Sequence, residues 1–130
     1  MFDKYAASAV GVKIGIAYFR RLDFQKAPIE RASQFFSKKI KGNNLSEIEQ
    51  KTLEDYLFWY VIDLTIKSSL LVKFHTGQQA MNNFMNFENV MFNPVDCSNL
   101  CRLSPETKFV FFHILIMSSR SPYQSITLMQ

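Results

Sequence analysis

Cys97, Cys101, His75 and His113 are the only cysteines and histidines in the chain, and thiolate and imidazole are the ligands that zinc takes. Their spacing argues against a zinc site. Structural zinc is usually held by tighter pairs such as Cys-x-x-Cys, and His75 lies more than twenty residues from the cysteines. The expectation is therefore no metal and no cofactor. On a helix, Cys97 and Cys101 would share one face a turn apart, where a disulfide would constrain almost nothing. Both read as free thiols of a reducing compartment.

Asp63 is the next candidate, being the only charge in the run Tyr56–Ile66. Burial would raise its carboxyl pKa and suit it to general-acid work. Lys67, one turn further on the same helix face, offers an ion pair instead, and no second catalytic group stands near in sequence. Asp63 reads as structural. The chain has no G-x-S-x-G elbow, P-loop or dinucleotide fingerprint. The expectation is that it is not an enzyme.

Charge offers two binding readings. Residues 13–41 hold eight Lys or Arg against Asp23 and Glu30, within a chain of net charge +4. Arg20, Arg21, Lys38, Lys39 and Lys41 could contact phosphates, which makes nucleic-acid binding the alternative function. The competing account is that Lys38, Lys39 and Lys41 end a helix, where the dipole favours cations. The leading expectation is a non-catalytic protein-binding module, a small bacterial regulator or toxin-neutralising immunity protein that covers its partner's surface. Glu47, Glu49, Glu54 and Asp55 would then meet a partner protein with a basic surface.

These residues need a scaffold, and the pattern predicts an all-α one: a single domain over 1–130, with five helices around a buried central helix. That central helix is read from Leu45 to Phe74, apolar on most sides, with Ser46 as N-cap and Glu49 completing a capping box. Pro28 and the stripe Ile29, Ala32, Phe36 and Ile40 predict a helix that stops before Gly42. A fourth helix is expected from Thr76 to Phe92, stopping ahead of Asn93-Pro94, and a connection over Val95–Leu103. Ser104-Pro105-Glu106 would open a last, buried helix through Met117, with His113 neutral in the core, and a polar tail would begin near Ser118.

Residues 3–22 fit two templates. Tyr5, Ala9, Val12, Ile16 and Phe19 have helical spacing, while Val10, Val12, Ile14, Ile16 and Tyr18 alternate as a strand does. Helix is preferred because no pairing strand is evident. An α+β alternative keeps strands at 10–18 and 109–117. The longest charge-free apolar run, Phe109–Met117, is far short of the roughly twenty residues of a membrane helix. With no secretory signal pattern either, the chain is expected to be cytoplasmic and off the membrane.

Overall fold

A computed structural model describes residues 2–76, 87–118 and 121–126. The chain divides into two compact units, one of residues 24–64 and one of residues 1–23 together with 65–130.

The unit of residues 24–64 is helical. Helix α2, Ile29–Ile40, ends in a Schellman closure: the Gly42 N–H donates to the Lys39 carbonyl, and the Asn43 N–H to that of Lys38. Gly42 sits at φ +81°, where a Cβ would be strained. Helix α3, Glu47–Lys67, opens with the capping box expected of it. The Ser46 N–H donates to Glu49 Oε2 (2.8 Å) and the Glu49 N–H to Ser46 Oγ (3.3 Å). Inside the unit Phe24 stacks on Phe58, with ring centroids 3.9 Å apart, and the Lys26 ammonium lies 3.7 Å from the Trp59 ring centre.

The second unit contains a sheet, which corrects the expected all-α bundle. Strands β1 (Gly11–Ile14), β2 (Leu71–His75) and β3 (Phe109–Phe112) are parallel, in the order β1-β2-β3. Val12 pairs with Val72 and Phe74 with Phe111. Residues 3–22 therefore hold only a short helix α1 (Phe2–Ala6), then β1 and a 3-10 turn over Ile16–Tyr18. The pairing strands absent from the sequence expectation are β2 and β3, which lie inside segments that read as helix. Alternation along β2 puts Val72 and Phe74 in the core at 0% exposure, beside Phe109 and Phe111. Gly11 permits the close approach of β1 and β2, since a Cβ there would stand 2.7 Å from the Leu71 carbonyl oxygen.

The expected end of the central helix at Phe74 is also corrected. Helix α3 stops at Lys67 because Ser69 adopts φ +55°, the Ser69 N–H donates to the Ile66 carbonyl and the Leu70 N–H to that of Thr65. This is the closure used by α2, with serine in the glycine position. Of the expected fourth helix, residues 77–86 lie outside the described residues. Helix α4, Phe87–Leu103, runs through Pro94 and through the segment expected to be a connection. Val90, Cys97 and Leu100 bury one face of it, which outweighs the hydrogen bond that proline removes. The segment read as a last helix is β3 followed by β4 (Ile114–Ser118). Part of the expected polar tail is β5 (Ser121–Ile126), antiparallel to β4. The strand segments of the α+β alternative contain β1 and β3. No helix among the described residues is long and apolar enough to cross a membrane.

Candidate functional site

Because β1, β2 and β3 are parallel, their carboxyl ends lie side by side. In open α/β sheets ligands bind at that edge, where the loops can carry polar groups unneeded by the ladder. Three aromatic polar side chains meet there. Tyr18 comes from the 3-10 turn after β1, His75 is the last residue of β2, and His113 follows the last residue of β3.

The Tyr18 hydroxyl and His75 Nδ1 share a hydrogen bond, their rings edge to face with centroids 5.3 Å apart. The His113 ring centre is 5.1 Å from that of His75. Burial pushes the His75 pKa below its ordinary value, and its electrostatic interactions with His113, Lys13 and Lys73 push it the same way. Its imidazole is neutral at physiological pH. Burial raises the Tyr18 phenol, which stays protonated. His75 Nε2 is buried and has no hydrogen-bond partner among the described residues. When Nδ1 carries the proton, Nε2 presents a lone pair; when the phenol donates instead, Nε2 carries the proton.

His113 is exposed and sits at φ +60°, which contradicts its expected place as a neutral core histidine. Left-handed backbone at a residue with a Cβ is strained and clusters at functional positions. The turn at His113 ends β3 and turns the chain into β4.

Helix α4 braces this edge with the polar residues of its buried face. The Thr76 N–H and hydroxyl both donate to the Phe112 carbonyl, at 3.0 and 2.9 Å, joining the ends of β2 and β3. Asn93 Nδ2 donates to the Thr76 carbonyl at 2.6 Å. Arg21, three residues after Tyr18, makes a two-pronged pair with buried Asp96, from Nη2 at 2.8 Å and from Nε at 3.2 Å. Its guanidinium also lies 3.9 Å from the Phe92 ring centre. These contacts fix the turn that presents Tyr18.

Of the residues singled out in the sequence, His75 and His113 meet at this edge, and the others are dispersed. Cys97 and Cys101 are free; burial raises both thiols, Cys97 strongly, so neither is a ready thiolate. Asp63 is exposed on α3. Glu47 is exposed at the start of α3, Glu49 holds Lys38 at 2.8 Å, Glu54 accepts from Gln50, and buried Asp55 accepts from Lys51 and the Gln25 N–H. Among the basic residues, Arg20 pairs with Asp23, Arg21 with Asp96, Lys38 with Glu49 and Lys39 with Gln50, while Lys41 is exposed. Tyr18, Lys13 and Lys73 were missed. The readable signal was a largely apolar run ending in histidine, twice: Leu70–His75, interrupted only by Lys73, and Phe109–His113. Among the described residues no group of three His, Cys, Asp or Glu side chains is arranged to hold a metal ion.

The chain matches no protein-family model and no curated protein. Its fold is similar to a solved structure from Lactobacillus casei ATCC 334, described as a putative metal-dependent hydrolase, with a TM-score of 0.64 and 21% sequence identity over 86% of this chain. The chain spans 30% of the length of that protein. The expectation of a non-catalytic module, a regulator or toxin-neutralising immunity protein without enzyme activity, is corrected by this finding. It rested on an all-α bundle without site chemistry, whereas the chain has a parallel sheet, polar groups gathered at its carboxyl edge, and a fold like that of a protein described as a hydrolase.

Proposed function

We propose that the carboxyl edge of β1–β3 is a hydrolytic centre at which His75 and His113 hold a divalent metal ion. The observation that carries this reading is the buried Nε2 of His75, without a hydrogen-bond partner among the described residues, beside the His113 ring on adjacent parallel strand ends. The fit is chemical. A neutral imidazole whose Nδ1 is held by a second group is the usual form of a metal-bound histidine, and Tyr18 is that second group. A bound metal would supply Lewis acidity and a water ionised near neutral pH. The chain's own contributions are to fix the His75 ring through Tyr18 and to keep the imidazole neutral by burial. It also clamps the β2 and β3 ends together through Thr76 and Asn93. Cobalt(II) titration tests the reading, because imidazole coordination gives visible absorption bands. The full chain should develop them and hydrolyse members of a chromogenic ester and amide panel, and His75→Ala should lose both. No bands, or bands unchanged in His75→Ala and His113→Ala, would overturn it.

A further inference from the structure

Of the residues of helix α2, Ala32 is the buried one, and the larger apolar side chains point elsewhere. Ile29, Ser33, Phe36 and Ile40 recur at intervals of four, three and four, which places them in one narrow stripe along the helix. That spacing is the seam of a coiled coil, narrower than the face with which a helix covers a core. All four are exposed, Phe36 to 53% and Ile40 to 68%. Beside the stripe, within the same unit, α3 presents Leu57 and Tyr60, each close to half exposed. Between the two helices lies a groove of about 270 Å³, and none of the side chains lining it is charged.

Area and charge decide what fits. With about 150–250 Å² on each large side chain, the exposed parts of Ile29, Phe36, Ile40, Leu57 and Tyr60 amount to roughly 500 Å². This is the apolar share of the roughly 800 Å² that each partner buries in a standard protein interface. The groove falls below the range of about 300–1,000 Å³ in which a small molecule is enclosed. Nor does it offer a field to steer nucleic acid or a strongly charged protein, since residues 24–64 contain six Lys or Arg and six Asp or Glu. A surface without net charge meets its own copy without repulsion.

We infer that α2 and α3 form a homodimer interface, in which α2 of each copy lies antiparallel to α2 of the other and enters the groove there, closing a four-helix bundle. A two-fold axis between Gln34 and Phe35 sets the whole stripe against itself: Ile29 meets the partner's Ile40, and Ser33 meets the partner's Phe36. The second pair is a small residue facing a large one, and symmetry repeats it, so that Phe36 is a knob for the hole left by the partner's Ser33. Leu57 and Tyr60 then cover the partner's helix from the side. This interface does not depend on the hydrolytic reading, which concerns residues of the other unit.

Analytical ultracentrifugation of the full chain tests it, under reducing conditions that keep Cys97 and Cys101 from cross-linking. The wild type should sediment as a dimer that dissociates on dilution. Ser33→Phe puts two large side chains where one fits, and Ser33→Glu buries a charge there; each should weaken the dimer at least roughly tenfold. Phe36→Ser should do the same by emptying the space. Combining Ser33→Phe with Phe36→Ser exchanges knob and hole, and should return the dissociation constant to within about threefold of the wild type. Positions 33 and 36 are exposed in the single copy, so every variant should keep the far-UV circular dichroism of the wild type. A chain that stays monomeric at about 0.5 mM, where even a Kd of about 1 mM leaves a measurable dimer fraction, overturns the inference and leaves the groove to a helix of another protein. A dimer indifferent to Ser33→Glu overturns it too, being built on a different face, and so does a double variant no better than Ser33→Phe alone.

Discussion

The helical unit of residues 24–64 and the sheet-bearing unit encode their structure over different sequence distances. In the first, the contacts that start and stop the helices are close neighbours, Ser46 with Glu49 and Gly42 with the carbonyl of Lys39, while longer contacts such as Phe24 with Phe58 pack the finished helices. In the second the determining contacts join residues far apart: Tyr18 with His75, Arg21 with Asp96, Val12 with Val72. Local contacts specify an element wherever it occurs in a chain. Long-range contacts specify it only once the partner is known, and the side chains that gather at one place are brought there by them.

The sharpest way to break this comparison is to remove one long-range contact and ask whether more is lost than a contact. Asp96 is 2% exposed and Arg21 is 39% exposed. Arg21→Ala leaves a buried carboxylate without its partner and should cost about 2–3 kcal/mol, less than for a fully buried pair because Arg21 is partly solvated. Asp96→Asn, which leaves a half-exposed arginine and a neutral amide, should cost less. Urea unfolding of both variants checks the order, and equal costs would mean that the pair is solvated on both sides.

Gly11→Ala is the next largest. Its Cβ would meet Leu71 Cδ1 at 2.5 Å and the Leu71 carbonyl at 2.7 Å, and the carbonyl belongs to backbone that cannot turn aside. Separating β1 from β2 should cost about 1–3 kcal/mol and move Lys13 and Tyr18 with the strand. The same urea measurement, with amide exchange on β1, reads both effects. Ser46→Ala is the matched change in the helical unit. It removes one half of a local capping box, with an expected cost of about 1 kcal/mol and faster amide exchange confined to the first turn of α3.

These differences explain what was legible in the sequence. Helix α2 was readable at both ends because proline and glycine announce themselves, and the start of α3 because a capping box has fixed spacing. The end of α3 was not, since Ser69 takes the left-handed position that glycine usually occupies and carries no distinctive mark in sequence. Reading the helix through to Phe74 then concealed β2. Without β2, the alternation of Val10 to Tyr18 has nothing to pair with, and Phe109–Phe112 reads as a helix. One unrecognised serine closure thus removed the sheet. The site went with it, because Tyr18, His75 and His113 are neighbours only when β1, β2 and β3 are parallel. Pro94 misled in the opposite direction, being a helix breaker by local rule in a helix held by its buried face.

Ser69→Gly sharpens the point. Glycine at φ +55° relieves strain that serine bears, offset by the greater freedom glycine has in the unfolded chain. A net gain of about 0.5 kcal/mol is expected, with the melting temperature as readout; a loss would mean that the Ser69 side chain contributes more than its backbone costs.

Acid separates the local contacts of the helical unit from the rest by a small, signed effect. The Lys38 ammonium holds the Glu49 carboxyl below its ordinary 4.5, the Ser46 N–H adds to this, and partial burial opposes it. A carboxylate depressed in the native state binds fewer protons there than in the unfolded chain, so stability rises with pH across the interval between the two values. The contribution is complete above pH 4.5 and is lost as pH falls from there through the lower native value. Protonation also removes the acceptor of the Ser46 N–H, so the loss should appear first at the start of α3. Amide exchange at Ser46 should therefore accelerate between about pH 5 and pH 3, after correction for the intrinsic rate, while that of Val72 and Phe74 in β2 does not. Glu49→Gln, which keeps an acceptor oxygen and cannot ionise, should exchange faster at neutral pH and lose the pH dependence. If Ser46 and Phe74 instead accelerated together in the wild type, the first turn of α3 would open only with the whole chain, and the locality claimed for its capping contacts would fail.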